Sequence, residues 1–311
     1  MTSLAAVTLK QLRALDAVVR FGTMTAAAEY LGLTVPAIHS QIKLLEDLVD
    51  APVLLRATGG GSAEPTEAGR VLLRAARLTA GILSQAENQL DALGRGKSGL
   101  VTLSVVSTAK YFAPRLVRML RDRVVDIDVA LRVGNRETII ADLAEARCDL
   151  AIMGRPPRDP LVEALPLGPH PHGVVLPANH ALAGQDGYDP VFLMKETFLS
   201  REEGSGTRAL MHRFLARFDE GGPPRIVEMD SNETIKQAVL AGLGIAFLSL
   251  HTVKDELDQG RLVALRGPNL PVMRHWYLVW PQQVALPPSG ETILSEINQL
   301  NGAFLPRVAI S

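Results

Sequence analysis

Residues Thr8 to Arg56, TLKQLRALDAVVRFGTMTAAAEYLGLTVPAIHSQIKLLEDLVDAPVLLR, decide the reading of this chain. Leu9, Leu12, Leu15 and Val19 recur at steps of three and four behind Thr8, whose hydroxyl suits an N-cap, and predict a first helix with that apolar stripe. Met24, Ala27, Ala28 and Leu31 fall at i, i+3, i+4 and i+7 and predict a second helix, stopped by Gly32. Thr34 then caps a third helix with Ile38, Ile42 and Leu45 on its inner face. Pro36 is tolerated because the first-turn N–H groups have no intrahelical partner. Two short helices joined by a tight glycine-containing turn are the helix-turn-helix pattern.

Opposite that inner face, Pro36, His39, Ser40 and Lys43 point outward together. A helix that enters a major groove needs this mixture, small hydrogen-bonding groups for base edges and a cation for phosphate. An ordinary solvated helix face offers the same residues, and it is the alanine-rich helix and turn before them that favour DNA.

Outward from this core, Thr66 to Leu93 contains no proline and carries Leu72, Ala76, Thr79, Leu83, Ala86, Leu90 and Leu93 at alternating steps of four and three. That is an a/d seam on a helix of roughly 40 Å, and it predicts a dimer seam, because the small preceding domain cannot cover so long a stripe. Gly94 to Gly99 read as a flexible hinge.

From Leu100 strands and helices alternate: strand Val101–Val106, helix near Ala113–Leu120, strand Ile127–Val133, helix Thr138–Ala146 and strand Asp149–Met153. A second set follows, with strands at Gly173–Leu176, Thr197–Ser200, Ile226–Met229 and Ile245–Ser249 and helices near Thr207–Arg217 and Thr234–Ala241. A strand at Trp276–Trp280 and a helix with Ile293, Ile297 and Leu300 complete the chain. The alternation implies an α/β fold with parallel sheets in two lobes. The expected domains are 1–65 (helix-turn-helix), 66–93 (dimerisation helix), 94–99 (hinge) and 100–305, the last split into lobe one (about 100–165 and 270–305) and lobe two (about 166–269).

Composition agrees with a globular chain: 47% hydrophobic and 21% charged residues over 311 positions. With 32 Lys+Arg against 33 Asp+Glu the net charge is -1, so nothing global draws the chain to polyanions and DNA binding must be local. No apolar run is long enough for a membrane span, no secretory signal heads the sequence, and the single Cys148 cannot form an internal disulfide, so a cytoplasmic location is expected. Gly96-Lys97-Ser98 lacks the earlier glycine of a phosphate-binding loop. His170, His172 and His180 have no partners that would complete a metal shell, and no catalytic constellation stands out, so neither metal nor enzyme is expected.

Three predicted strand-to-helix junctions carry small polar residues: Ser107 and Thr108; Ser205, Gly206 and Thr207; Ser231, Asn232 and Thr234. Capping explains each singly. In an α/β sheet, however, such helix N-termini gather at one edge and favour anions, so the three together predict a cleft, joined by Asn135 with Arg136 and by Arg155.

The N-terminal run, together with PTEAG at Pro65–Gly69, resembles the winged helix-turn-helix of LysR-type transcriptional regulators, and the long helix and two-lobed remainder are similar to that family's linker and effector domain. Within it, VSTAKYFAPRL, VGNRETII, DLAIMGRPP and SNETIKQAVLAGLGIAFLS resemble the CbbR subgroup, activators of carbon-fixation (Calvin cycle) operons. The resemblance implies a periplasmic-binding-protein-like effector domain and a homotetramer that binds promoter DNA and engages RNA polymerase. Thr23, Thr25, Thr34 and Arg56 then join Pro36, His39, Ser40 and Lys43 as DNA contacts. No cofactor is required. The implied effector is an anionic metabolite, a phosphorylated sugar, phosphoenolpyruvate or NADPH. The chain departs from the family at Val35, where Gln is usual, and at His39, where a small residue is usual. A LysR-type regulator of another pathway and a solute-binding or sensory α/β protein without a DNA role are the alternatives.

Overall fold

Threonine opens each of the three N-terminal helices and glycine closes the first two in the computed structural model, which describes residues 4–55, 62–95, 97–185, 187–218 and 222–308. Helix α1 (Leu9–Phe21) starts on a capping box in which Thr8 Oγ1 accepts from the Gln11 amide and Gln11 Oε1 accepts from the Thr8 amide at 2.7 Å. Helix α2 (Met24–Leu31) lies between Thr23 and Gly32, and α3 (Val35–Val49) begins at Thr34. Gly22 and Gly32 have φ of 77° and 64°, the left-handed region that glycine enters without a Cβ penalty.

Helix α3 buries Ile38, Ile42 and Leu45 as its spacing predicts. Helix α1 differs: Gln11, Ala14, Leu15 and Val18 are buried while Leu9 is exposed. The core there is built on small side chains, Ala14 and Ala17 clustering with Ala27 and Ala28 of α2, and the capping box turns Gln11 inward.

Helix α4 (Glu67–Gly94) starts where Thr66 Oγ1 accepts from the Gly69 amide at 3.0 Å and donates to the Pro52 carbonyl at 2.6 Å. Gly69 lies so close to the Val53 carbonyl that a Cβ would collide with it, which explains the glycine of PTEAG. Leu54 and Pro65 pair across the base of the intervening segment, whose Arg56, an expected DNA contact, lies outside the described residues.

The heptad seam divides. Leu72 and Ala76, both 6% exposed, are buried within their own chain, Leu72 in the cluster that holds Leu15 and Leu45, so they do not belong to a seam open to a second copy. The reason is that the first turns of α4 complete the small core of the N-terminal unit, to which Arg77 also ties the helix through Asp16 at 2.8 Å. Thr79 is half-buried, and Leu83, Ala86, Leu90 and Leu93 are exposed. The chain divides into compact units Met1–Ala86 and Glu87–Ser311, so the division falls inside α4.

Within the expected hinge, Lys97 and Ser98 are bonded into the second unit. The Ser98 amide donates to the Asp126 carbonyl at 2.7 Å and Lys97 Nζ to the Val125 carbonyl at 2.8 Å. Gly99 is already the first residue of β1 (Gly99–Val106) and packs so near Ser289 that a side chain would clash.

The second unit continues with α5 (Ala113–Arg123), β2 (Ile127–Gly134), α6 (Arg136–Ala144), β3 (Leu150–Met153), β4 (Val162–Pro177), α7 (Pro190–Leu193), β5 (Thr197–Arg201) and α8 (Gly206–Leu215). It ends with β6 (Arg225–Met229), α9 (Asn232–Leu240), β7 (Ile245–Ser249), α10 (Lys254–Asp258), β8 (Leu262–Ala264), β9 (Val272–Pro281) and α11 (Pro288–Gln299). The sheet order among the described residues is β2-β1-β3-β9-β4-β7-β5-β6, with β8 also on β4.

The expected parallel pairs are present, β1 with β2 and β3 and β5 with β6 and β7, but they are only the two ends of the sheet. The middle is an antiparallel ribbon in which β4 pairs with β9 from Val162–Pro281 through His172–Val272. Only the end of the 16-residue β4 is legible in the sequence, as the strand Gly173–Leu176; its first part, Val162–His172, escaped because Pro166, Gly168, Pro169 and Pro171 mimic a loop. One core centres on Phe112, Trp276 and Phe304, and another on Phe198, Phe214 and Phe247.

Candidate functional site

Thr23, Thr25, Thr34, Pro36, His39, Ser40 and Lys43 are all exposed on the N-terminal unit. Thr23 and Thr34 are engaged as caps, their hydroxyl oxygens accepting from Ala26 N at 3.1 Å and Ala37 N at 3.4 Å. Each hydroxyl proton stays available to a phosphate oxygen. Thr23, His39 and Lys43 share a hollow of about 580 Å³ with Leu54, Leu55 and Ala63. A cation, an imidazole and a hydroxyl thus converge beside a recognition-type helix, together with Glu46, whose Oε1 is engaged by the Val53 amide at 2.9 Å.

In the second unit a cavity of about 260 Å³ opens at the carboxyl ends of the parallel strands. Ser107 and Thr108 reach it from the end of β1, Arg155 from the end of β3, Arg136 from the start of α6, and Ser205 and Thr207 from the start of α8. Helix α8 has no side-chain cap, so its first N–H groups lack a local acceptor where they meet the cavity.

The antiparallel ribbon supplies what sequence reading missed. His170 and His172 of β4 and Arg274 of β9 line the same cavity, His170 and Arg274 being directly paired across the two strands, and Arg213 enters from α8. The absence of a strand assignment for Val162–His172 hid the two histidines, and the strand read from Trp276 began too late to include Arg274. Arg213 had a signal: it lies at i+7 from Gly206 and i+4 from Ala209, on the face of α8 that lines the cavity.

Four arginines and no carboxylate line this wall. Burial, followed by repulsion from Arg155 and Arg213, lowers the Arg136 pKa; burial, followed by Arg274 and Arg155, lowers that of Arg213. Burial also holds His170 well below the usual histidine range and brings His172 to about 3, so both are neutral. His172 Nδ1 donates to the His170 carbonyl at 3.1 Å, and His170 Nε2 meets Ser249 Oγ at 2.9 Å. A wall of mutually repelling cations gains most from an anion.

Three expected residues lie elsewhere. Asn135 caps α6, its Oδ1 accepting from Thr138 N at 2.9 Å. Asn232 is buried, its Oδ1 accepting at 2.7 Å from Arg201 Nη1, which also donates to Ser107 Oγ at 3.0 Å. Thr234 is exposed and bonds within its own helix start, to Ser231 and Asp230. The third helix terminus therefore does not join the cavity, because Ser231 caps it and Arg201 occupies Asn232. His180 meets Glu196 at 3.5 Å, and Cys148 is buried with its thiol pushed up to about 12. Among the described residues no cluster of metal-ligating groups occurs and no helix is long and apolar enough to cross a membrane.

The model for bacterial regulatory helix-turn-helix proteins of the lysR family matches residues 9–70, and that for the LysR substrate binding domain matches residues 94–300. The HTH-type transcriptional regulator CbbR of Cereibacter sphaeroides is 54% identical over 98% of this chain and 99% of its own length. The RuBisCO operon transcriptional regulator of Allochromatium vinosum is 39% identical over 95% and 98%. The regulatory domain of CcmR from Synechocystis PCC6803, solved in complex with 2-PG, is 32% identical with a TM-score of 0.61, covering 65% of this chain and 97% of that one.

Proposed function

The chain belongs to the LysR family of bacterial helix-turn-helix transcriptional regulators, and from that premise we propose that it activates carbon-fixation genes in response to a small anionic metabolite. Transcription regulation through DNA is the family's activity, and the carbon-fixation assignment follows relatives that match nearly the whole chain. The observation that carries the effector class is the four-arginine wall of Arg136, Arg155, Arg213 and Arg274, facing the uncapped start of α8 with no lining carboxylate. A polyanion there replaces repulsion with charge-assisted hydrogen bonds.

The 260 Å³ cavity lies below the ~300–1,000 Å³ that drug-sized ligands occupy, so it fits a phosphorylated acid or sugar fragment better than NADPH. A related regulatory domain is described with 2-PG, which makes 2-PG and phosphoenolpyruvate the first ligands to try. To regulate, the ligand must prefer one arrangement of the domain, since equal affinity for two states shifts neither. The exposed part of α4 associates with a second copy, and assembly to a tetramer on promoter DNA, contact with RNA polymerase and a cytoplasmic location complete the reading.

The test is binding of the purified chain to RuBisCO-operon promoter DNA and an unrelated promoter, each titrated with 2-PG, phosphoenolpyruvate and NADPH. Selective promoter binding that shifts with a small phosphorylated anion is expected. Equal binding to both promoters would overturn the target assignment, and promoter binding that none of the three anions shifts would overturn the effector class.

A further inference from the structure

At the leading edge of α3 the fold leaves an apolar side chain unused. Val35 is the first residue of that helix, is 40% exposed, and is not a member of the buried N-terminal cluster. It lies one turn ahead of His39, at i and i+4, and so borders the outward face that carries Pro36, His39, Ser40 and Lys43. Ile38, Ile42 and Leu45 take the opposite side. Nothing local calls for valine: Thr34 already supplies the cap, and a β-branched residue is a weaker helix former than alanine.

Residues at the start of a recognition helix are the ones that meet base edges. Major-groove edges offer hydrogen-bond donors and acceptors at every base pair, and one apolar feature, the C5 methyl group of thymine. Val35 has no polar atom beyond the backbone, and Pro36 beside it lacks even the N–H. Against a donor or acceptor such a surface loses the hydrogen bonds that water made; against a methyl group it buries two apolar surfaces together. His39 and Ser40, farther along the helix, supply the polar half of the reading.

We propose that Val35 selects a thymine in each half-site by contact with its C5 methyl group. This rests on reading α3 as the helix that meets the bases.

Sequences enriched by the purified full-length protein from a random duplex pool define the half-site, and each thymine is then replaced singly by deoxyuridine, which removes the methyl group and no hydrogen-bonding atom. One position should lose affinity by about fourfold, the effect of unburying one methyl-sized group. In Val35→Ala, which favours the helix but withdraws the two γ-methyl groups, the same replacement should have a clearly smaller effect, while thymines elsewhere keep theirs. Val35→Gln should move the preference at that base pair toward adenine, which offers the matching donor and acceptor. A half-site without a methyl-sensitive thymine, or full sensitivity retained in Val35→Ala, overturns the inference alone. Failure to enrich any sequence, or wild-type binding by both His39→Ala and Lys43→Ala, overturns the reading of α3 and this inference with it.

Discussion

The imidazole of His170 lies nearly parallel on the indole of Trp276, with ring centroids 3.6 Å apart and planes inclined by 13°. Trp276 Nε1 donates in turn to His251 Nδ1 at 3.1 Å, and the His172 ring lies against that of His170 with centroids 4.0 Å apart and planes inclined by 48°. The cavity wall is thus backed by an aromatic column held neutral: a proton on His170 or His172 would be buried beside Arg274 and His251, and burial alone disfavours one on His251.

Stability should therefore fall on mild acidification. Burial brings His251 to about 4 and His172 to about 3, whereas both return to the ordinary 6.5 when the chain unfolds. Between those values the unfolded chain holds more protons, so unfolding becomes easier as pH drops from 6.5 towards 4, and the loss is absent above 6.5. At pH 5 each of the two costs about 2 kcal/mol. Calorimetric melts at pH 7 and pH 5 should show this fall, and it should be smaller in His172→Phe, which starts lower for want of the bond to the His170 carbonyl. An equal drop in variant and wild type would remove His172 from the account.

How far the chain was legible differs between its halves for a physical reason. In the N-terminal unit, threonine caps, glycine stops and the Ile38–Ile42–Leu45 face are local signals, and local hydrogen bonds decide the structure there. In the second unit, Ser107, Thr108, Arg155, Ser205 and Thr207 were legible as strand ends and helix starts. Asn232 and Thr234 gave the same signal and went elsewhere, because a capping pattern does not say whether the cap is used locally, as at Ser231, or left open, as at Ser205. His170, His172 and Arg274 depend on pairing between segments about a hundred positions apart, which a proline-rich strand does not announce.

The corrected cavity makes the two threonines behave differently. Thr108 lines it and is buried, whereas Thr234 is exposed and bonded to its own helix start. Thr108→Val should weaken 2-PG binding by about tenfold to a hundredfold, the range for a lost hydrogen bond to a charged partner, and Thr234→Val should leave it unchanged. Arg274→Gln should weaken binding more strongly while raising the melting temperature of the ligand-free protein, since it relieves the repulsion that Arg213 feels. Titration calorimetry and ligand-free melts decide; lost stability together with unchanged affinity in Arg274→Gln would mean that the arginine supports the fold instead of the ligand.

Along α4, position along the helix should decide what a buried charge does. Leu72 belongs to the core of its own chain, while Leu83 and Leu90 are 45% and 67% exposed on the remainder of the heptad stripe. Leu90→Glu should leave the helical signal and the N-terminal melt intact but yield monomers in sedimentation velocity, because a second helix would have to desolvate an unpaired carboxylate. Leu72→Glu should instead lower the stability of the N-terminal unit itself, by about 2–5 kcal/mol as for other buried leucines truncated or charged in a core. Full-size oligomers of Leu90→Glu at low protein concentration would exclude this stripe as the contact between copies.

On α3, Lys43 and His39 are neighbours at i and i+4 with different chemistry, and salt can separate them. A lysine that neutralises a phosphate releases a condensed counterion, so Lys43→Ala should weaken binding to every duplex alike and reduce the slope of log K against log salt by about 0.9. An imidazole at a base edge releases none. His39→Ala should keep the slope and lose about 1–3 kcal/mol of discrimination at one base pair, with little change on duplexes already mismatched there. Both side chains are exposed and absent from the buried cluster, so neither change should alter the melt of the N-terminal unit. Fluorescence anisotropy on the selected site and on single-mismatch duplexes, across a salt series, reads both quantities at once. A reduced slope in His39→Ala, or base-specific loss in Lys43→Ala, would exchange the two roles; unchanged slope and discrimination in both variants would remove α3 from the duplex.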